Sequence, residues 1–188
     1  GESHGRQMPS HYSCAEKHIW SVPTPTGSQL LPACGMAWGI KLDGKNAAVV
    51  TTVGDAATRQ GDFYEAICFA KEKKLPMLFV VEDNAYGISS PTREINPRAL
   101  DVMQPNDWRE IDGGDVGQIY EEAAKAFAHI RAGHGPVFLW AMMERLSSHT
   151  SSDDQKLYRT ADELKKCEEC DPLRKWKEQL IAEGLITE

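Results

Sequence analysis

Residues 47–86 read AAVVTTVGDAATRQGDFYEAICFAKEKKLPMLFVVEDNAY, and this stretch decides the fold. Its flanks are two apolar runs, Ala47 to Val53 and Met77 to Val81, short and rich in β-branched residues as buried parallel strands are. Between them, across Gln60 to Lys73, Phe63, Ala66, Ile67 and Ala70 fall at the i, i+3, i+4, i+7 spacing of one helix face. Lys71, Lys73 and Lys74 suit the C-terminal end of that helix, and Pro76 stops it. Strand, helix, strand in so short a span is a βαβ unit, with a right-handed crossover expected.

Working outward, Gly27 to Lys41 reads as a helix. Leu31, Cys34, Met36, Ala37, Trp38 and Ile40 cover much of its surface, which predicts burial on more than one side. Asp43-Gly44-Lys45-Asn46 is a turn. Residues 85–106 contain prolines and little periodicity and read as a long loop. Trp108 to Ile111 is a short strand. Val116, Ile119, Tyr120, Ala123, Phe127 and Ile130 mark another helix, and Val137 to Met142 a further strand. Residues 144–159 are polar and loop-like, and Asp162 to Lys166 and Pro172 to Glu183 read as surface helices. This order predicts an α/β fold with a three-layer parallel sheet, in a single domain over residues 1–188. The domain divides into an N-terminal loop segment, 1–26, the core, a polar loop, 144–159, and a helical extension, 160–188. The first 25 residues read as an interior loop, so the chain is expected to be a fragment of a longer polypeptide.

The 188 residues are enough for one substantial core. The net charge is −7 with no dense basic block, which argues against nucleic acid and anionic membrane as partners. No apolar run approaches the roughly 20 residues that span a bilayer. Five scattered cysteines do not form a disulfide framework, so a reducing, cytoplasm-like compartment is expected.

Gly54-Asp55-Ala56-Ala57 follows the first strand and Glu82-Asp83-Asn84-Ala85-Tyr86-Gly87 follows the second. Open parallel sheets bind ligands outside these carboxyl ends. Asp55 and Asn84, one βαβ repeat apart, are therefore expected to meet at one point. Magnesium takes about six oxygen ligands, shared with phosphates and water. Asp55 offers a carboxylate, Asn84 an amide oxygen and Tyr86 a backbone carbonyl. Gly54 would ease a sharp turn, and the N–H groups near Ala56 and Ala57 would then face a diphosphate. Either half alone is an ordinary turn; the pair, each half after a strand, points to a magnesium–diphosphate site.

These residues resemble the thiamine diphosphate fingerprint, Gly-Asp-Gly followed by a helix-length stretch and Asn-Asn, with Ala56 and Asp83 as departures. The chain is similar to the alpha subunits of branched-chain and related 2-oxoacid dehydrogenases. The likeness extends from Gly5-Arg6-Gln7-Met8-Pro9-Ser10-His11-Tyr12 through Tyr86-Gly87-Ile88-Ser89-Ser90-Pro91-Thr92 to RLSSHTSSDD at 145–154 and Tyr158-Arg159. It implies a thiamine diphosphate-binding fold and oxidative decarboxylation of a 2-oxoacid, with acyl transfer to lipoamide. The implied partners are a beta subunit or fused beta domain, in a heterotetramer, and a lipoyl-bearing acyltransferase. The implied compartment is the cytoplasm, or the mitochondrial matrix in a eukaryote.

Residue by residue, the resemblance gives Asp55, Asn84 and the Tyr86 carbonyl to magnesium, and Gly54, Ala56 and Ala57 to the diphosphate. Thr24 and Thr26 match the aminopyrimidine pocket. Pro25, Ser28 and Gln29 match a potassium site of some members, with Pro23 where a serine stands. His149 matches the active-site histidine, a residue type that donates and accepts protons near neutral pH. Arg145, Asp153, Tyr158 and Arg159 match residues that order this active-site loop, with Arg145 or Arg159 expected to pair with Asp153. Thr150 aligns with a regulatory phosphoserine. Glu82 stands where branched-chain enzymes carry a phosphate-binding arginine. The glutamate that activates the cofactor comes from the other subunit, so the isolated chain is expected to be inactive.

A non-catalytic interaction domain that has kept the fold and lost the cofactor is the competing reading, favoured by Glu82 and opposed by His149 with Asp55 and Asn84. A nucleotide-binding enzyme is disfavoured, since neither GxGxxG nor a P-loop is present. Cys167-Glu168-Glu169-Cys170 lacks the second pair a structural zinc site needs, and its two acids suit a redox motif poorly. His11, Cys14 and His18 have zinc-like spacing but read as loop residues.

Overall fold

The computed structural model describes residues 5–8, 11–103 and 108–187. Parts of the N-terminal loop segment (1–4, 9 and 10), the end of the long loop (104–107) and Glu188 lie outside the described residues.

The βαβ unit read from residues 47–86 is present as β1 (Val49–Gly54), α2 (Gly61–Glu72) and β2 (Met77–Asp83), preceded by α1 (Leu30–Leu42). The chain continues through a two-residue hairpin, β3 (Tyr86–Gly87) and β4 (Ser90–Pro91), then β5 (Trp108–Asp112), α3 (Val116–Arg131), β6 (Val137–Met142), α4 (Ala161–Glu169) and α5 (Pro172–Ala182). The main sheet has the order β1-β2-β6-β5, with every neighbour parallel. The predicted α/β parallel-sheet class holds.

Alternation along each strand makes the layers. On one face, Met77, Phe79 and Val81 of β2 and Phe138 and Trp140 of β6 pack with Phe63, Ala66 and Ala70 of α2 and Leu30, Ala33, Cys34 and Ala37 of α1. On the other, Leu78, Val137, Leu139 and Ala141 pack against Ala126 and Ile130 of α3. Asp115 caps α3 by accepting from the Gln118 N–H at 2.9 Å. Thr160 and Glu163 form a full capping box at the start of α4.

Two expectations are corrected. α1 buries one stripe only: Leu31 is exposed, and Trp38 remains 43% exposed, its ring edge against Phe69. Its apolar residues outnumber what one sheet face can cover. The long loop also holds the β3–β4 hairpin, with Ala85 at φ 66° and Ile88 at φ 58°. Left-handed backbone at a β-branched residue carries no sequence signal and is held by its surroundings. No helix among the described residues is long and apolar enough to cross a membrane.

Candidate functional site

The β1–β2 register pairs Gly54 with Glu82, so the chain leaves both strands at the same level. From β1 it enters a short 3-10 turn, Asp55–Arg59, and Asp55 is 1% exposed at its start. Gly54 has ordinary extended backbone, φ −70° and ψ 154°, and a Cβ there would meet nothing within 4 Å. The turn therefore does not use glycine's freedom, contrary to the expectation for Gly54. The Asp55 carboxylate accepts from the Thr92 hydroxyl, and the backbone of Asn84 lies close enough to favour its charged form. Burial pushes its carboxyl above the usual range, and the nearby Asp83 charge adds to the rise against these interactions.

Asp55 and the Asn84 backbone are thus neighbours at the ends of adjacent strands. The Asn84 side-chain oxygen accepts from the Tyr86 N–H at 3.1 Å, an Asx turn that aims the next carbonyls. Tyr86 sits opposite Pro91 in the hairpin, and proline has no N–H to offer its carbonyl. Asp83 is buried and fully engaged: one oxygen accepts the Ala85 N–H at 2.9 Å, the other the Trp140 indole N–H at 2.7 Å. Glu82, next to Asp83, is exposed.

The hairpin lies close over the turn. A Cβ added to Gly87 would come within 2.7 Å of the Ala56 Cβ. Ala56 is exposed and Ala57 buried. Gly27, at φ 85°, lies beside Gln60 and the Ala57 carbonyl, and Thr24 and Thr26 just before it are exposed. Ser28 Oγ donates to the Pro25 carbonyl at 2.7 Å, and Gln29 Nε2 to the Thr52 carbonyl of β1 at 2.8 Å.

His149 lies in the polar loop, exposed, and its backbone N–H donates to Asp153 at 2.8 Å. The Tyr158 hydroxyl donates to the same Asp153 oxygen at 2.6 Å and accepts from Arg145 Nη2 at 2.6 Å. The expected direct pairing of an arginine with Asp153 is not what forms. Arg145 reaches Asp153 through Tyr158, while Arg159 is buried and turned to Gln155 and the Arg145 carbonyl, with Glu144 at 3.7 Å. The Tyr158 hydrogen bond, aided by the His149 N–H, holds the Asp153 carboxyl below the usual range. The loop is anchored to the hairpin: Arg145 Nη1 donates to the Ile88 carbonyl at 2.8 Å, and the Tyr86 and Tyr158 rings lie 5.9 Å apart. The Tyr86 hydroxyl donates to Glu163 of α4 at 3.2 Å. A cleft of about 450 Å³ lined by Asn84, Tyr86, Arg159 and Glu163 opens beside this junction.

A model of the family described as "Dehydrogenase E1 component" matches residues 1–188. The chain belongs to the dehydrogenase E1 component family. It is 32% identical over 192 residues to the 2-oxoisovalerate dehydrogenase subunit alpha of Bacillus subtilis, covering 99% of this chain and 58% of that protein. It is 34% identical over 195 residues to pyruvate dehydrogenase E1 component subunit alpha from Staphylococcus epidermidis and from Staphylococcus aureus, covering 100% of this chain and 51% of each. The E1 chain spans about half the length of the curated relatives it matches.

The E1 site also includes residues that sequence reading assigned no role. Thr92, holding Asp55, closes the Tyr86–Thr92 run and carried no signal beyond that. Glu163 was legible as the fourth residue of a Thr-x-x-Glu capping box, though not as a partner of Tyr86. Trp140 reads as one more apolar strand residue. Among the described residues no three His, Cys, Asp or Glu side chains are grouped to hold a metal. His11 Nδ1 instead lies 2.7 Å from the Val22 carbonyl.

Proposed function

We propose that this chain is the alpha portion of a thiamine diphosphate-dependent 2-oxoacid dehydrogenase, carrying out oxidative decarboxylation with acyl transfer to lipoamide. The observation that carries the reading is the placement of buried Asp55 and of Asn84 just beyond level, adjacent strand ends, with the Tyr86 carbonyl facing no proline N–H. A carboxylate, an amide oxygen and a carbonyl are the hard oxygen donors magnesium takes, and burial with Asp83 nearby disfavours the Asp55 charge, which a bound cation would offset. The donor set fits the magnesium–diphosphate end of thiamine diphosphate, whose thiazolium ring would supply the electron sink for loss of carbon dioxide.

Asp55, Asn84 and Tyr86 hold the metal in this reading, and the turn at Gly54, Ala56 and Ala57 faces the diphosphate. Thr24 and Thr26 border the ring-binding side. His149 exchanges protons with the reacting group and the lipoyl acceptor, and the Arg145–Tyr158–Asp153 relay holds its loop. A potassium ion at Pro25, Ser28 and Gln29 would take the place of the Ser28–Pro25 hydrogen bond. A beta subunit or domain supplies the activating glutamate, and a lipoyl-bearing acyltransferase receives the acyl group.

Calorimetric titration of the chain with thiamine diphosphate and magnesium, in the presence of the beta partner, tests this. Binding heat that vanishes in Asp55→Ala, with decarboxylation of branched-chain 2-oxoacids or pyruvate, is expected. No heat and no decarboxylation would leave the non-catalytic interaction domain as the better account.

A further inference from the structure

Cys167 and Cys170 close the last turn of α4, and both are free thiols. Cys167 is 2% exposed, and its thiol donates to the Arg145 carbonyl at 3.1 Å. Cys170 is half-buried and lines a cleft of about 570 Å³. The Cys170 N–H donates to the Cys167 carbonyl at 3.1 Å, a three-residue turn. In such a turn side chains at i and i+3 eclipse, and a rise near 2 Å per residue places the two Cα atoms about 6 Å apart, within disulfide reach.

The electrostatics of the cleft differ from what the sequence suggests. Glu168 and Glu169 are exposed, while Arg93, Lys166 and Lys175 line the cleft beside Cys170. Of its acids, Glu110 pairs with Arg98 at 2.6 Å and Glu144 with Arg159 at 3.7 Å, while Asp112 accepts the Gly114 N–H at 2.8 Å and keeps its single negative charge against three cations. The three cations have no ion-pair partner among the described residues. The cleft therefore offers unmatched positive charge to an anionic molecule approaching the Cys170 sulfur.

We propose that Cys167 and Cys170 form a reversible thiol-oxidation site for a small anionic disulfide of the glutathione type, and that oxidation loosens the start of the His149 loop. Cys170 gives up its proton and attacks one sulfur of the disulfide. The S–S bond breaks, and one glutathione leaves and takes up a proton. Cys167 then attacks the Cys170 sulfur, giving up its own proton, and the second glutathione leaves with it. The protein dithiol is oxidised by two electrons and the glutathione disulfide is reduced to two thiols. Cys167 then has no S–H to donate, and the Arg145 carbonyl keeps only its bond from Arg159 Nη1 at 2.8 Å.

The test is incubation with glutathione disulfide, alkylation of remaining thiols, peptide mapping by mass spectrometry, and hydrogen exchange over residues 145–159. The expected result is a 167–170 peptide lighter by two hydrogens, reversal by dithiothreitol, and a several-fold faster exchange of the loop amides in the oxidised form. Cys167→Ala should trap a glutathione adduct on Cys170. Cys170→Ser should leave Cys167 unmodified. Two alkylatable thiols after treatment, a lasting adduct on Cys170 of the parent chain, or a disulfide without faster loop exchange overturns the proposal. None of these readouts depends on cofactor binding, so the outcome is separate from that of the proposed function.

Discussion

Arg145 Nη1 donates to the carbonyl of Ile88 across 2.8 Å, tying two segments 57 residues apart. Its second nitrogen starts the relay through Tyr158 and Asp153 to the His149 N–H. One guanidinium therefore fixes the histidine loop to the hairpin that holds Tyr86. Hydrogen bonds from a charged donor contribute about 1.5–3 kcal/mol each. Arg145→Ala is expected to raise amide exchange at His149 and Asp153 at least about tenfold while far-ultraviolet dichroism stays unchanged. Parent-like exchange at these amides would show that the relay does not order the loop.

Asp55 gives a pH prediction. Its carboxyl is raised by burial and by Asp83, so the folded chain holds this proton more tightly than the unfolded one. Its contribution to stability is fully present below the unfolded carboxylate pKa and is lost as pH rises through the raised folded value. In the metal-free protein, Asp55→Asn should melt at a higher temperature than the parent at about pH 7, with the gap narrowing toward about pH 4. The same variant should lose magnesium-dependent cofactor binding. Thermal melts across this range decide the first point and calorimetry the second.

The Gly87–Ala56 approach predicts a compensation. Gly87→Ala forces two carbons to within 2.7 Å and should destabilise by about 1–3 kcal/mol through overpacking. Ala56→Gly in the same chain removes the opposing carbon. Thermal melts and magnesium-dependent binding should both recover in the double variant, and failure to recover would place the constraint on Gly87 elsewhere.

Asp83 accepts two N–H groups, and an asparagine has only one acceptor oxygen. Asp83→Asn should therefore cost about 1–3 kcal/mol in denaturant unfolding, and Trp140→Phe a comparable amount. The double variant should lose less than the sum, because both remove the same 2.7 Å contact. Strict additivity would mean that the indole bond contributes nothing to stability.

Buried strands were the most legible part of the chain. Val137–Met142 was read with its observed bounds, and the α2 helix within a residue at each end, because their apolar patterns reflect burial directly. The placement of Asp55 and Asn84 just beyond neighbouring strand ends was also legible, since adjacent parallel strands end at one level. The hairpin was not: its turn places Ile88, a β-branched residue, at positive φ, which no turn signal foretells, and Arg145 from far along the chain holds the Ile88 carbonyl. The Asp83–Trp140 bond was hidden for a similar reason, as a strand tryptophan reads as core whatever its N–H does. The route from Arg145 to Asp153 was misread because charge complementarity suggested a pair where a tyrosine hydroxyl stands between.

Glu163 divides its carboxylate between two tasks: Oε2 accepts from the start of its own helix, and Oε1 from the Tyr86 hydroxyl. Tyr86 is synthesised 77 residues before that partner. Chains emerge from the ribosome N-terminus first. All four strands of the main sheet can thus be translated and paired while the outer side of the hairpin still lacks its last contact. Nascent chains stalled before α4 should then carry a finished core and an unfinished corner around Tyr86.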